Sequence, residues 1–247
     1  MIKILSIGML GLFLGWLTLY VQYAILHAKR ARNMFKCAAC GNELTPRVVI
    51  PRLFPFYKHK ICMRCHTVIT KEVALLPVVS MIVLFVLNAY FKNLYQALLI
   101  LILLQNFYLI IYFDIKYAII PNVVIFSLVG VIMFHALFNL GQVSSLIISH
   151  MTGVLIAMTF SVVTFLIGKF VFKADHVLGM GDIKLMVLLG WLYGLVGISI
   201  LLNSALVLGA IYGVTQMKKS RSIEIPFGPF LVCGAMLCMF TGQALIF

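Results

Sequence analysis

The chain of 247 residues is 64% hydrophobic and 10% charged, with 19 Lys and Arg against 6 Asp and Glu and a net charge of +13. At a mean hydropathy of +1.14 it holds more apolar surface than a soluble domain can bury, which excludes a soluble globular protein and predicts an all-α polytopic membrane protein. The positive charge does not point to nucleic acid, because its placement follows a transmembrane topology.

Crossing about 30 Å of hydrocarbon takes roughly 20 apolar residues per helix. The apolar runs predict about eight transmembrane helices, at approximately 4–26, 73–91, 94–113, 122–140, 146–172, 183–195, 197–215 and 227–247. The sixth reads as short or tilted, since Gly190, Gly194 and Gly197 blur its end. If the first helix enters from outside, every Lys and Arg falls on the inner side except Lys3 and Lys92, and the positive-inside bias places both termini outside. Attraction to anionic membrane lipid is a secondary reading of the same charge. The first apolar run is longer than a signal-peptide core and its basic cluster follows it, so it reads as a retained helix. The expected organisation is a first transmembrane helix (1–26), a cytosolic segment (27–72) and a transmembrane core (73–247).

Gly8, Gly11 and Gly15 smooth one face of the first helix for the close approach of another. The cytosolic segment carries Cys37-Ala38-Ala39-Cys40 and Cys62-Met63-Arg64-Cys65, two C-x2-C pairs separated by 21 residues. That spacing suits four thiolates on one tetrahedral zinc, making this a small zinc-binding domain between the first and second helices. A disulfide is disfavoured on the cytosolic side, and a segment of this size needs the metal to supply folding energy. His59 and His66 read as surface residues, and Cys233 and Cys238 as small packing residues of the last helix.

The carboxylates are Asp114, Asp175, Asp182, Glu43, Glu72 and Glu224. Asp114 follows an apolar run in Phe113-Asp114-Ile115-Lys116, shortly before Pro121-Asn122. A carboxylate at a helix C-terminus opposes the macrodipole, so capping does not explain it; the alternative is a solvated boundary residue paired with Lys116. His135 and His150 lie towards the opposite, external connection and read as interfacial or hydrogen-bonded. In Gly179-Met180-Gly181-Asp182 two glycines free the backbone for a sharp turn and a close helix approach, with a plain helix N-cap as the alternative for Asp182. Asp175 and His176 border that loop. Ile225-Pro226-Phe227-Gly228-Pro229-Phe230 makes a rigid entry into the last helix, either a groove wall or a shaped helix start.

Asp114 and Asp182 are 68 residues apart, yet the intervening crossings return both to the inner boundary. Acids at that depth are costly and usually functional. If they meet, the pair shares a proton and titrates as a unit, one acid activating water while the other protonates a peptide carbonyl. Two other classes compete: an ion-coupled transporter using the acids as a relay, and a non-enzymatic zinc-bearing assembly factor.

Taken together, Gly11-Leu12-Phe13-Leu14, the two Cys pairs, Phe113-Asp114 with Ile120-Pro121-Asn122, Gly179-Met180-Gly181-Asp182-Ile183-Lys184-Leu185 and Ile225 to Phe230 closely resemble the bacterial prepilin leader peptidases. These are GxGD membrane aspartyl proteases of type IV pilus, type II secretion and competence systems. The resemblance implies Asp114 and Asp182 as catalytic acids, Gly179 and Gly181 as the site loop, and Cys37, Cys40, Cys62 and Cys65 as zinc ligands. It implies removal of the short basic leader of a prepilin or pseudopilin after a glycine, at the cytosolic face of the bacterial inner membrane, with pilus or secretion assembly machinery as partners and no nucleic acid. N-methylation of the new terminus from S-adenosylmethionine often follows in the family. The chain departs from the family pattern where Gly15 stands for an Asn, and where Ser80 follows Leu76-Pro77-Val78-Val79 in place of an acid; both departures bear on the methyltransferase half.

Overall fold

A backbone in hydrocarbon must satisfy its N–H and C=O groups within its own segment, so long apolar runs become helices. The computed structural model describes residues 2–34, 65, 75–138, 140–170, 179–217 and 226–241, and every element among them is helical. In chain order these are α1 (Ile2–Met34), α2 (Leu75–Phe91), α3 (Leu94–Tyr117), α4 (Asn122–Phe138), α5 (Leu140–Phe170), α6 (Met180–Met217) and α7 (Gly228–Phe240). Large apolar side chains point outward on successive helices, among them Val86 (62% exposed), Phe126 (71%) and Ile148 (76%). Lipid, not water, suits such a surface, and the protein is a polytopic membrane protein.

The expectation of about eight transmembrane helices is corrected. Seven helices are described, and four contain stretches long and apolar enough to cross a membrane, at Ile4–Gln22, Leu94–Tyr117, Ile147–Ile167 and Met180–Thr215. The apolar stretches Leu75–Phe91, Asn122–Leu137 and Gly228–Met239 are shorter. The runs 183–195 and 197–215 follow without a gap in α6, two helical stretches joined across a kink at Gly194, which alone of the glycines that look like a break leaves helical geometry, at φ 61° and ψ −163°. The expected zinc domain is corrected as well, in that the described residues contain no cluster of three metal-ligating side chains. Cys37, Cys40 and Cys62 lie outside the described residues, and Cys65 is half-buried.

The chain divides into two compact units, Met1–Gln105 and Asn106–Phe247. In the first, the expected small-residue face of α1 packs on α2: a Cβ added at Gly11 would sit 2.7 Å from the Met81 Cα, and one at Gly15 would sit 2.6 Å from the Pro77 Cα. Leu84, Ala97 and Leu101 form the core under Ile7, Leu10 and Leu14. Buried Gln105 donates through Nε2 to Ser80 Oγ at 3.3 Å, a polar tie between α3 and α2 of the kind that holds helices together in lipid.

In the second unit α5 and α6 touch backbone to backbone. A Cβ at Gly153 would fall on the Gly190 carbonyl oxygen and within 2.8 Å of the Gly194 Cα. The non-helical dihedrals of Gly194 disturb the i→i+4 bonds that span it, beginning with the one from the Trp191 carbonyl. His150 of α5 places its Nδ1 2.6 Å from that carbonyl oxygen and stacks on the Trp191 ring, 4.9 Å between centroids. The hydrogen-bonded reading of His150 holds, and its partner sits at the bend.

Helix α7 packs along the part of α6 beyond Gly194. Tyr193 Oη donates to the Ala235 carbonyl at 2.8 Å, Cys238 Sγ lies 3.2 Å from the Gly197 carbonyl oxygen, and the Tyr212 and Phe230 rings stand 5.6 Å apart. Thirty residues of straight helix between Asp182 and Tyr212 would span about 45 Å. Yet Phe230, in contact with Tyr212, is two residues from Gly228, whose N–H is 2.8 Å from Asp114, and the Asp114 charge acts on Asp182. Helix α6 is therefore sharply bent, at its Gly194 kink.

Gly153→Ala is expected to cost about 1–3 kcal/mol by overpacking this crossing, read as a lower thermal unfolding midpoint in detergent. Gly130→Ala, which meets nothing within 4 Å, should leave the midpoint unchanged.

Candidate active site

Helix α3 continues past its apolar run to Tyr117, so Asp114 lies in its last turn. Tyr108, Tyr112 and Tyr117 cluster there with Lys116, whose Nζ lies 4.4 Å from the Tyr112 ring centroid and 3.3 Å from its Oη. Tyrosines and a lysine at a helix end mark the interfacial depth of a bilayer. Asp114 itself is only 5% exposed, which overturns the solvated-boundary alternative.

What holds the Asp114 carboxylate is the start of another helix. The Gly228 N–H donates to Asp114 Oδ2 at 2.8 Å, across 114 residues of sequence. Gly228 is the first residue of α7, where a backbone N–H has no partner inside the helix. Phe227 occupies the cap position and has no side-chain acceptor to offer, while Pro229 brings no N–H of its own. The carboxylate thus gains a charge-assisted donor and the positive end of the α7 dipole, which offset its poor position at the end of α3. Only glycine fits: a Cβ at 228 would stand 2.8 Å from Asp114 Oδ2.

Asp182 occupies the first turn of α6, with Gly179 in the cap position. The Gly179 carbonyl accepts the Asp182 and Ile183 N–H groups at 3.0 and 3.2 Å, and the Asp182 carboxylate accepts the Gly179 N–H in return. This is the reciprocal half of a capping box, with an acid three residues after the cap reaching back. The N-cap alternative is therefore displaced by three residues. Asp182 is half-buried, and its Oδ1 has no hydrogen-bond partner among the described residues.

The two acids are joined through the α3–α4 connection. Ala118, at φ 49°, ends α3 and donates its N–H to the Asp114 carbonyl at 2.8 Å. Pro121 then starts α4, its carbonyl accepting the Val124 N–H at 3.0 Å. Between them buried Ile120 packs on Gly181, where an added Cβ would come within 2.9 Å of the Ile120 Cβ. Lys184 Nζ donates to Asn122 Oδ1 at 3.1 Å on the exposed side. Gly181 thus provides the expected close approach. Neither it nor Gly179 uses a positive φ, so their role is steric room, not a strained turn.

Sequence reasoning singled out both acids and both loop glycines but missed Ile120 as their link and Gly228 as a donor. The glycine and prolines around 228 were a visible signal of an unusual helix start; nothing in them indicated the partner. Asp175 and His176 lie outside the described residues. His135 is buried on α4.

Fold and site together define a helical membrane protein with two carboxylates, distant in sequence, facing one another's charge beside two helix N-termini. Residues 98–214, which carry both acids, match the model of the Type IV leader peptidase family. A curated relative, the prepilin leader peptidase/N-methyltransferase of Legionella pneumophila, is 40% identical over 76 residues; the match covers 28% of this chain and 25% of that protein. No solved structure matches the chain.

Gly181→Ala is expected to destabilise the protein by about 1–3 kcal/mol by driving a methyl into Ile120. Lys184→Met, which removes one exposed hydrogen bond, should cost under about 1 kcal/mol in the same unfolding measurement.

Proposed function

We propose that the chain is a membrane aspartyl endopeptidase that removes the short basic leader of a type IV prepilin or pseudopilin after a glycine, at the cytosolic face of the bacterial inner membrane. The observation that carries this reading is that Asp114 and Asp182 lie near enough for the charge of one to act on the other, inside the stretch that matches the leader peptidase family. The cytosolic placement rests on the Lys and Arg distribution and on the interfacial tyrosines and lysine beside Asp114.

In the reaction proposed, one acid is ionised and takes a proton from water as the water oxygen bonds to the scissile carbonyl carbon. The other is protonated and delivers its proton to the carbonyl oxygen, giving a neutral tetrahedral diol. Collapse re-forms the carbonyl, breaks the C–N bond and sends a proton to the leaving amine, which becomes the new N-terminus of the mature pilin. The burial of Asp114 and the unpartnered Oδ1 of Asp182 support a role in chemistry, because such groups are costly to keep. The name of the Legionella relative couples the peptidase to an N-methyltransferase; terminal methylation is a separate property, visible in the same product.

In proteoliposomes with a co-reconstituted prepilin, Asp114→Asn and Asp182→Asn are each expected to slow leader removal by about 100- to 10,000-fold, scored by mass spectrometry of the pilin. Wild-type rates in either variant would defeat the dyad and favour a relay or an assembly role for the acids.

A further inference from the structure

Helix α7 lies beyond the family-matched stretch, which ends at residue 214, yet it supplies the hydrogen bond that holds Asp114. We propose that the backbone N–H of Gly228 is a positioning donor for the reaction, aiming the Asp114 carboxylate and committing its Oδ2 so that Oδ1 is the oxygen available for proton transfer. The inference rests on the proposed proteolytic role of Asp114.

Four observations carry it. The contact is short and buried, 2.8 Å between Gly228 N and Asp114 Oδ2. The donor belongs to the first turn of a helix, where it has no intrahelical acceptor and where the dipole favours an anion. The space is fitted to the carboxylate, since a Cβ at 228 would meet Oδ2 at 2.8 Å, Cγ at 3.2 Å and Asp114 Cβ at 3.4 Å. Finally, α7 is itself held along α6. Tyr193 bonds to Ala235, Cys238 lies against the Gly197 carbonyl, and Gly234 lets the Leu201 carbonyl oxygen approach to 2.6 Å of where a Cβ would be. The donor is therefore mounted on a helix fixed to the same element that carries Asp182.

A side chain in that role could swing away; an amide in a helix pinned at three further points cannot. Asp182 is held by the amide of its own helix and Asp114 by the amide of another, so the relative placement of the two acids depends on how α7 seats on α6. Gly228 acts through Asp114 and is a positioning residue, not a catalytic one.

The test replaces the Gly228 amide by an ester, through glycolic acid incorporated at position 228 during cell-free translation into nanodiscs. This removes the N–H and adds no bulk. With a prepilin substrate, kcat is expected to fall by about 100-fold, the loss that follows a small misplacement of a reacting group, with KM unchanged within twofold. A fall in thermal midpoint with unchanged kcat would show that the amide merely caps α7, and would overturn the proposal; so would a rise in KM alone. A second measurement needs no activity. In protein labelled with 15N-glycine, the Gly228 amide proton should resonate downfield and exchange slowly, and should lose both properties in Asp114→Ala. If that substitution leaves the Gly228 amide unmoved, the hydrogen bond is absent and the proposal fails, whatever the enzyme cleaves. If wild-type protein cuts no prepilin while the amide signature is present, the contact stands as helix capping, and both the proteolytic reading and the positioning role fall with it.

Discussion

A carboxylate taken out of water into a helical membrane protein must find donors, and here both acids find them at helix N-termini. Asp182 accepts the N–H of the cap residue of its own helix, whereas Asp114 accepts the first N–H of α7 from 114 residues away. The rest of the second unit is arranged around satisfying these two groups. Helix α7 needs an acceptor because its cap residue supplies none, and Asp114 needs a donor because it sits at the wrong end of α3 for its charge. Each unfavourable placement is compensated by the other, which makes the pairing specific. Moving either partner would leave a buried polar group alone, at about 1–3 kcal/mol or more for a charged one.

The second constraint is steric. Gly181 admits Ile120, Gly228 admits the Asp114 carboxylate, and Gly153 and Gly190 let α5 and α6 meet backbone to backbone. None of these four uses a left-handed conformation; among the described glycines Gly194 alone does, and it kinks α6. That kink lies between the turn that carries Asp182 and the half of α6 that packs on α7. A carbonyl disturbed by the bend is met from a neighbouring helix: His150 from α5 reaches that of Trp191. In lipid no water is at hand to do so.

The outward face follows from the same solvent. Val86, Phe126 and Ile148 would be a liability in water, and they lie on helices that carry the buried Ser80, His135 and His150 respectively. Among the described residues buried polarity is inside and apolarity outside.

The membrane class, the helical fold, both acids and the packing face of α1 could be read from the chain alone, because apolar run length, glycine spacing and scarce carboxylates are local properties of sequence. The number of helices could not: Gly190, Gly194 and Gly197 look alike in a string, and only packing against α5 shows which one bends. The partner of Asp114 was hidden for a related reason. A backbone amide has no side-chain signature, and whether it donates to a carboxylate depends on where a later helix comes to rest. Sequence singled out the two acids, and tertiary structure alone determined which donors hold them, since such contacts arise from three-dimensional proximity that one-dimensional spacing does not encode.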